Sequence, residues 1–330
     1  MSSEIVSSNP TVDAYEYLQI IKNSDGTITR NPNRYPNTLT TPDPDHPTLV
    51  LSKDIHINQS KNTWVRIFIP RNTPDTFSNK KLPLLVYYHA GGFIHCSAAS
   101  TIFHNFCTKI VIDLHVVIAS VEYRLAPEHR LPAAYDDAVE ALHWIKTTHD
   151  KWLKEYADFS NCYIMGSSSG GNIAYLAGLR VAAEVDQFEP LMIIKGLILH
   201  QPFFGGTQRT GSELRLVNDP RLPQSVLDLM WDMSLPIGVD RDHEYCNPTV
   251  MGGSKLLDQI KRLGWKVLVI GCDGDPLIDR QIELVRMLEA KGVQVVVVGH
   301  FSVGGYHMVH VTDPSKAEAL HAVLKGFIFS

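Results

Sequence analysis

Residues 162–172, CYIMGSSSGGN, contain the turn from which the fold can be inferred. The first five residues are apolar and typical of a buried strand, and a helical pattern follows the turn. The connecting residues fit the G-x-S-x-G pattern of a nucleophile elbow, a sharp strand-to-helix turn that exposes one serine. Gly166 and Gly170 are needed where the backbone comes too close for a Cβ atom. The pattern predicts Ser168 as a nucleophile, and the alternatives are an ordinary Ser/Gly-rich loop and a phosphate-binding turn at a helix N-terminus.

Strand-like and helical patterns alternate along most of the chain. Runs rich in β-branched and aromatic residues predict strands at Trp64–Ile69, Leu84–His89, Val116–Tyr123, Cys162–Gly166, Ile193–Leu199, Lys266–Gly271 and Val293–Val298. Helical patterns lie between the later strands at Ala133–His149, Gly171–Ala183, Asp279–Lys291 and Pro314–Phe329. This alternation predicts an α/β fold with a mostly parallel central sheet flanked by helices, in which the first strands form an antiparallel edge.

The composition is that of an ordinary globular protein and excludes several classes. The 330 residues are 44% hydrophobic and carry a formal net charge of −5, which argues against nucleic-acid binding. No apolar run approaches the roughly 18 residues of a membrane span, and the N-terminus lacks the features of a secretory signal. The five cysteines show no zinc-type spacing. We expect a cytoplasmic protein with one domain over residues 1–330, no metal, and no nucleic-acid or membrane partner.

An activated serine needs a base to take its proton and an acid to orient that base. In proteins with this type of elbow, both partners follow the serine in sequence, and the acid comes first. Asp275 follows the predicted strand Lys266–Gly271, and His307 follows Val293–Val298, so both are placed where α/β sheets bind ligands. The nearby alternatives, which we expect to be loop or helix-face residues, are Asp273, Asp279, His300 and His310.

A Gly-rich segment follows the predicted strand Leu84–His89. Residues 89–92 read HAGG, so His89 and Ala90 precede two glycines whose amide groups are free of side-chain obstruction. Such a loop supplies donors for the oxyanion that forms when a serine attacks a carbonyl. We therefore expect the amides of Gly91, Gly92 and Ser169 to form an oxyanion hole.

Two segments outside the alternation are candidates for a cap over the site. In the first, about 1–45, Tyr15, Leu18 and Ile21 have helical spacing, and Thr11 or Asp13 is available as the N-cap. The second, about 203–240, lies in an excursion that extends to residue 248 and interrupts the strand–helix order. Its apolar residues have no strand partner in the sequence; they are Leu227, Leu229, Met230, Trp231 and Met233. We expect these two segments to cover a pocket, and the alternative for the second is a packed excursion with no pocket beneath it.

Together these motifs resemble the plant carboxylesterases of the hormone-sensitive-lipase group of α/β-hydrolases. The matching segments are HAGGF at 89–93, EYRLAPEHRLPAAYDDA at 122–138, GSSSGGN at 166–172, GDPLID at 274–279 and GGYH at 304–307. The resemblance implies a single catalytic body with a cap, no cofactor, and a triad of Ser168, His307 and Asp275. The chain departs from the group's usual pattern at Ala90, where a glycine is typical, and at Ser167, where an acidic residue is typical.

The expected function is hydrolysis of a small or medium carboxylic ester, of the kind found among plant specialised metabolites, through an acyl-enzyme on Ser168. The same scaffold also resembles non-hydrolytic dehydratases and cyclases, in which His307 would act as a base. A small-molecule receptor is the third alternative, although receptors of this type lack the catalytic histidine. The expected partner is a small-molecule ester, and the expected assembly is a monomer or a homodimer.

Overall fold

A computed structural model describes residues 12–71, 81–297 and 303–330. The predicted positions Thr11, Val298 and His300 lie outside these residues. The strands are β1 (Ile20–Lys22), β2 (Ile28–Arg30), β3 (Val50–Asn58), β4 (Thr63–Pro70), β5 (Leu82–Tyr88), β6 (Val117–Glu122), β7 (Ala157–Ser167), β8 (Ile194–His200), β9 (Lys266–Ile270) and β10 (Gln294–Val297).

One helix precedes β1, and the others lie between and after the strands. They are α1 (Ala14–Leu18), α2 (Thr101–Leu114), α3 (Ala133–Thr147), α4 (Lys151–Tyr156), α5 (Ser169–Ala183), α6 (Val185–Phe188), α7 (Gly211–Arg215), α8 (Gln224–Ser234), α9 (Leu257–Arg262), α10 (Ile278–Ala290) and α11 (Pro314–Ile328).

The central sheet has eight strands in the order β10-β9-β8-β7-β5-β6-β4-β3. From β10 to β6 every neighbouring pair is parallel, whereas β4 pairs antiparallel with both β6 and β3. The mostly parallel sheet is therefore confirmed. The antiparallel edge contains the predicted strand Trp64–Ile69, but the predicted strand Leu84–His89 is β5, which lies in the parallel part of the sheet. Strands β1 and β2 form a separate antiparallel hairpin.

Helices cover both faces of the sheet, and β5 shows how its side chains divide between them. Leu84, Val86 and Tyr88 belong to the larger core cluster, which includes residues of α3 and α5. Leu85 and Tyr87 belong to the other cluster, with residues of α2 and α11. Successive strand side chains point to opposite faces, so a uniformly apolar strand is the expected pattern for a sheet buried on both sides.

The structure adds two large elements that the sequence patterns did not predict. Strand β3 is an edge strand in which polar and apolar residues are mixed. Its first three residues are buried, and the rest of the strand is partly or fully exposed. Helix α2, TIFHNFCTKIVIDL, is rich in β-branched and aromatic residues, which favour strands. It is nevertheless helical because its buried face packs against the sheet, where tertiary contacts outweigh local preference.

Two separated segments form a cap over one end of the sheet. Helix α1 begins after Asp13, whose carboxylate accepts the amide protons of the first turn, and it ends before the predicted helical position Ile21, which lies in β1 and is exposed. The apolar residues of the 203–240 segment lie in and around α8. The Tyr17 hydroxyl donates to the carbonyl of Arg221 over 2.6 Å, and the Ser225 hydroxyl donates to the carbonyl of Val12 over 2.8 Å.

Residues 12–71, 81–297 and 303–330 contain neither a membrane-spanning helix nor a metal-binding cluster. None of their helices is long and apolar enough to cross a bilayer. Within those ranges no cluster of His, Cys, Asp and Glu side chains has the arrangement of a metal site.

Candidate active site

The turn after β7 places Ser168 in a strained backbone conformation. Its φ of 53° and ψ of −118° are uncommon for a residue with a side chain, and α5 begins at the next residue. A Cβ on Gly166 would collide with the carbonyl of Gly170, and a Cβ on Gly170 would collide with the carbonyl of Tyr88. The two glycines therefore permit the close packing that holds the serine at the end of the strand.

The structure brings Ser168, His307 and Asp275 together in one hydrogen-bonded chain. His307 Nε2 lies 2.9 Å from Ser168 Oγ, and His307 Nδ1 lies 2.9 Å from Asp275 Oδ2. With the Nδ1 proton donated to the carboxylate, Nε2 is the atom available to accept the serine proton. This is the geometry of a nucleophile, a base and an orienting acid.

Asp275 is fully buried, and N–H groups of the protein take the place of water as hydrogen-bond donors to its carboxylate. Its Oδ1 accepts the amide proton of Leu277 over 3.0 Å. Its Oδ2 accepts from the side-chain amides of Gln201 and Gln281 over 3.1 and 3.2 Å, in addition to the contact with His307. These hydrogen bonds offset the cost of removing a carboxylate from solvent and fix its orientation.

Gln201 is a site residue that the sequence motifs did not reveal. Besides Asp275, its Nε2 donates to the carbonyl of Tyr306 over 3.2 Å, and its Oε1 accepts the amide proton of Met308 over 2.7 Å. It therefore joins the loop that carries the acid to the loop that carries His307. The available signal was its position directly after β8, at the sheet edge where the triad lies.

Replacing Gln201 by leucine is expected to lower kcat for an ester substrate by about ten- to a hundredfold and to leave KM within a few-fold. The reason is that catalysis depends on the relative position of base and acid to within about 1 Å. Gln281→Leu is the matched control, because Gln281 touches the acid but not the histidine loop, and a smaller loss is expected. Steady-state kinetics at several pH values would check this, and equal losses in both variants would contradict a bridging role.

The loop after β5 lies beside the serine. Gly91 and Gly92 have φ values of 132° and 61°, and both line the same cavity as Ser168. In the described part of the chain, neither amide is engaged in a backbone hydrogen bond as a donor. Ser169 is the first residue of α5, where a helical N–H has no partner within the helix. These three amides remain the predicted oxyanion donors.

His89 holds this loop and is not a candidate base. Its ring stacks on Tyr123 at a centroid distance of 4.3 Å, and its Nδ1 lies 2.8 Å from the carbonyl of Ala90. Burial lowers the pKa of His89 to about 4, so the ring is neutral at physiological pH. The Tyr123 hydroxyl also donates to the carbonyl of His89 over 2.9 Å. Ala90 adds a methyl group to the cavity wall.

Ser167, the other departure from the expected pattern, faces away from the triad. Its hydroxyl accepts from Tyr87 over 3.2 Å and lies 3.2 Å from His200 Nδ1. Burial lowers the pKa of His200 well below its ordinary value. A neutral serine therefore sits among neutral partners in a fully buried position.

The alternative acids and bases have other contacts. Asp273 accepts the amide proton of Gly304 over 2.9 Å, and Asp279 accepts that of Ser212 over 2.7 Å. His310 packs against His200, and burial lowers its pKa to about 3. None of the three contacts Ser168.

Glu122, at the end of β6, braces the segment that follows the glycine loop. Its carboxylate accepts the Ala98 amide proton over 2.6 Å and the Ser97 hydroxyl proton over 2.9 Å. Burial raises the pKa of Glu122 from 4.5 to about 7, despite the hydrogen bonds that favour the ionised form. Between these two pKa values the folded chain keeps a proton that the unfolded chain has lost.

This proton makes the stability of the folded protein fall as pH rises from 4.5 to 7. Glu122→Gln removes this titration. The free energy of unfolding of the variant minus that of the parent is therefore expected to increase by up to about 3 kcal/mol from pH 4 to pH 8. Urea unfolding of both proteins across this range measures the difference. A difference that does not change with pH would contradict the shift.

The triad opens into a cavity of about 200 Å³ beneath the cap. Its lining is mainly apolar and aromatic, with contributions from the glycine loop, from α1 and α8, and from the loop of His307. The lining side chains outside the triad include Tyr17, Leu18, Tyr35, Ile102, Phe103, Phe203, Leu222, Val226, Leu227, Met230 and Met308. The cap and the catalytic end of the sheet thus enclose one apolar pocket.

The family model of the alpha/beta hydrolase fold matches residues 85–310, and the chain belongs to this family. Carboxylesterase 20 of Arabidopsis thaliana is 52% identical over 98% of each chain. The 3-O-acetylpapaveroxine carboxylesterase CXE2 of Papaver somniferum is 48% identical over 96% of this chain and 99% of its own. Among solved structures, an esterase of Pyrobaculum calidifontis has 25% identity and a TM-score of 0.66, covering 85% of this chain and 86% of its own. The protein is thus a carboxylesterase relative with full-length similarity to plant enzymes.

Proposed function

We propose that this protein is a serine carboxylesterase that hydrolyses small or medium carboxylic esters through an acyl-enzyme on Ser168. The observation that carries the proposal is the chain of two 2.9 Å contacts from Ser168 Oγ through His307 to Asp275. These contacts end at Ser168 in the wall of an apolar cavity of about 200 Å³, a volume comparable with that of cavities that bind a small aromatic molecule.

In the first step, Ser168 Oγ attacks the ester carbonyl carbon while its proton passes to His307 Nε2. The carbonyl oxygen becomes an oxyanion, which the amides of Gly91, Gly92 and Ser169 would stabilise. The bond to the alcohol then breaks, and His307 returns the proton to the departing oxygen. Asp275 holds the Nδ1 proton and stabilises the imidazolium that forms between these events.

In the second step, water replaces the alcohol. His307 takes one proton from water as its oxygen attacks the acyl carbon, and the second oxyanion occupies the same hole. Its collapse breaks the bond to Ser168, which recovers its proton from His307. The products are one carboxylic acid and one alcohol, and no cofactor is required for this balance.

The lining of the pocket and the name of one relative support a specialised-metabolite ester as the substrate. The Papaver somniferum relative is named for 3-O-acetylpapaveroxine, an O-acetyl compound, and this chain is 48% identical to that relative. In this chain the cavity wall combines aromatic rings with methionines, side chains that accommodate flat, apolar alcohols. The proposed class of substrate is thus a small acyl group on an apolar alcohol.

Hydrolysis of 4-nitrophenyl acetate and butyrate, together with labelling by a fluorophosphonate, tests the proposal. We expect turnover of both esters and a covalent adduct on Ser168 that mass spectrometry can locate. If the folded protein neither turns over these esters nor reacts with the fluorophosphonate, the esterase proposal is wrong. An elimination or cyclisation that survives in Ser168→Ala would instead favour the dehydratase or cyclase alternative.

A further inference from the structure

Two arginines lie at the mouth of the catalytic cavity, one from each segment of the cap. Arg34 follows the β1–β2 hairpin, and Arg221 precedes α8. Neither forms an ion pair with a carboxylate anywhere in the described ranges 12–71, 81–297 and 303–330. Arg66 and Arg124 differ in this respect, since they pair with Asp54 and Asp137. Within these ranges, the two guanidinium groups at the mouth are therefore not neutralised by a paired carboxylate.

Aromatic rings support both guanidinium groups. That of Arg34 lies 5.4 Å from the ring centres of Tyr17 and Tyr35, and its Nε contacts the Tyr35 hydroxyl over 3.3 Å. That of Arg221 lies 3.3 Å from the centre of the Tyr306 ring. A guanidinium that rests on a ring keeps most of its N–H groups free at its edge, where they can donate to an acceptor.

The charge around the mouth favours an anion. The residues that line the cavity include no Asp or Glu. Asp275 lies behind His307 and is occupied by hydrogen bonds, and the carboxylate of Asp219 accepts the amide protons of Arg221 and Leu222 over 2.9 and 2.8 Å. The carboxylate of Asp219 keeps its charge, but two guanidinium groups outweigh it, so the mouth is locally positive in a chain whose net charge is −5.

We propose that Arg34 and Arg221 form an anion-recognition subsite, and that the enzyme prefers esters that carry a free carboxylate. This inference rests on the esterase function proposed above and names its substrate class more narrowly. A planar guanidinium matches a carboxylate in shape and can bind it through two parallel hydrogen bonds. The apolar cavity binds the apolar part of the ester, and the two arginines at the mouth bind its carboxylate.

Matched ester pairs test this preference on both sides of the scissile bond. On the acyl side, mono-4-nitrophenyl adipate is compared with 4-nitrophenyl hexanoate. On the alcohol side, 4-acetoxybenzoate is compared with its methyl ester. For at least one pair, we expect the double variant Arg34→Gln/Arg221→Gln to lower the anionic-to-neutral ratio of kcat/KM by about tenfold, because the loss falls mainly on the anionic ester.

Two controls separate local recognition from general charge. Arg215→Gln removes one positive charge from an exposed residue outside the cavity lining, in the segment that carries Arg221, and it is expected to leave the ratio unchanged. Raising the salt concentration should lower the ratio in the parent, because the charges at the mouth are partly exposed and the Debye length falls from about 10 Å at 0.1 M to about 3 Å at 1 M.

The possible failures have different signatures. If neutral esters are hydrolysed and the double variant keeps the parent's ratio for both pairs, the subsite proposal is wrong and the esterase proposal stands. An equal loss on the neutral aromatic ester would assign the arginines to ring stacking and would also overturn it. Calorimetric binding of 4-acetoxybenzoate to Ser168→Ala gives a readout without turnover, and an unchanged Kd after both Arg→Gln changes would reject the subsite even if no ester is hydrolysed.

Discussion

Replacing Ser168 by alanine is expected to lower kcat/KM for 4-nitrophenyl butyrate by about 10⁴- to 10⁶-fold. The change removes the oxygen that would form the acyl-enzyme, and His307 is left without the hydroxyl that it contacts over 2.9 Å. The side chain is small and lies in a turn whose backbone is fixed by the two flanking glycines, so the fold should persist. Residual hydrolysis would come from water activated by His307 and from the oxyanion donors.

Ser167→Ala is the matched control, since it deletes a hydroxyl from the preceding residue. That hydroxyl contacts Tyr87 and His200 and does not contact the catalytic histidine. We expect a change of only a few-fold and retained fluorophosphonate labelling. Ester kinetics and intact-protein mass spectrometry on both variants, with thermal unfolding as a check of folding, decide the result. Comparable losses in both variants would contradict the assignment of Ser168 as the nucleophile.

Gly91→Ala is expected to lower kcat by about 10²- to 10³-fold, the loss typical for one oxyanion donor. Gly91 has a φ of 132°, which residues with side chains rarely adopt. A Cβ at this position would also meet the carbonyl oxygen of His95, a backbone atom that cannot rotate away. The loop must therefore move, and its amide would leave the wall of the cavity beside Ser168.

Gly92 offers a contrast within the same loop. Its φ of 61° is accessible to other residues at moderate cost, and an added Cβ would meet the sulfur of Met230, part of a flexible side chain. We expect Gly92→Ala to lose about tenfold or less, and Met230→Ala in the same chain to recover much of that loss. Single-turnover kinetics separate the chemical step from binding. If Gly91→Ala retained full kcat, its amide would not be an oxyanion donor.

The sheet and the triad geometry follow patterns that are local in sequence. Buried parallel strands are uniformly apolar, and the strained turn at Ser168 requires glycines on both sides, so residues 162–172 carry their own signature. Asp275 and His307 were predictable because each follows a strand in the same sheet. Helix α2 was not, since its strand-like composition becomes helical only through contacts with distant residues.

The supporting contacts of the site depend on the folded chain and leave a weaker signal. Gln201 bonds to residues 74 and 107 positions away, and a lone glutamine after a strand has no distinctive pattern. The same holds for Arg34 and Arg221, whose shared position at one cavity mouth appears only once the two cap segments meet. Sequence motifs therefore predict the groups proposed to react. The residues that position these groups, and those proposed to recognise the substrate, are found only from the tertiary structure.

The bond between Tyr17 and the carbonyl of Arg221 joins residues 204 positions apart and closes the cap. Neither segment belongs to the sheet, and neither supplies a triad residue. Selection can therefore act on the cap while the reacting groups stay constant. In evolutionary terms, changes in these two surface segments can alter which metabolites bind, with no change in the residues that react.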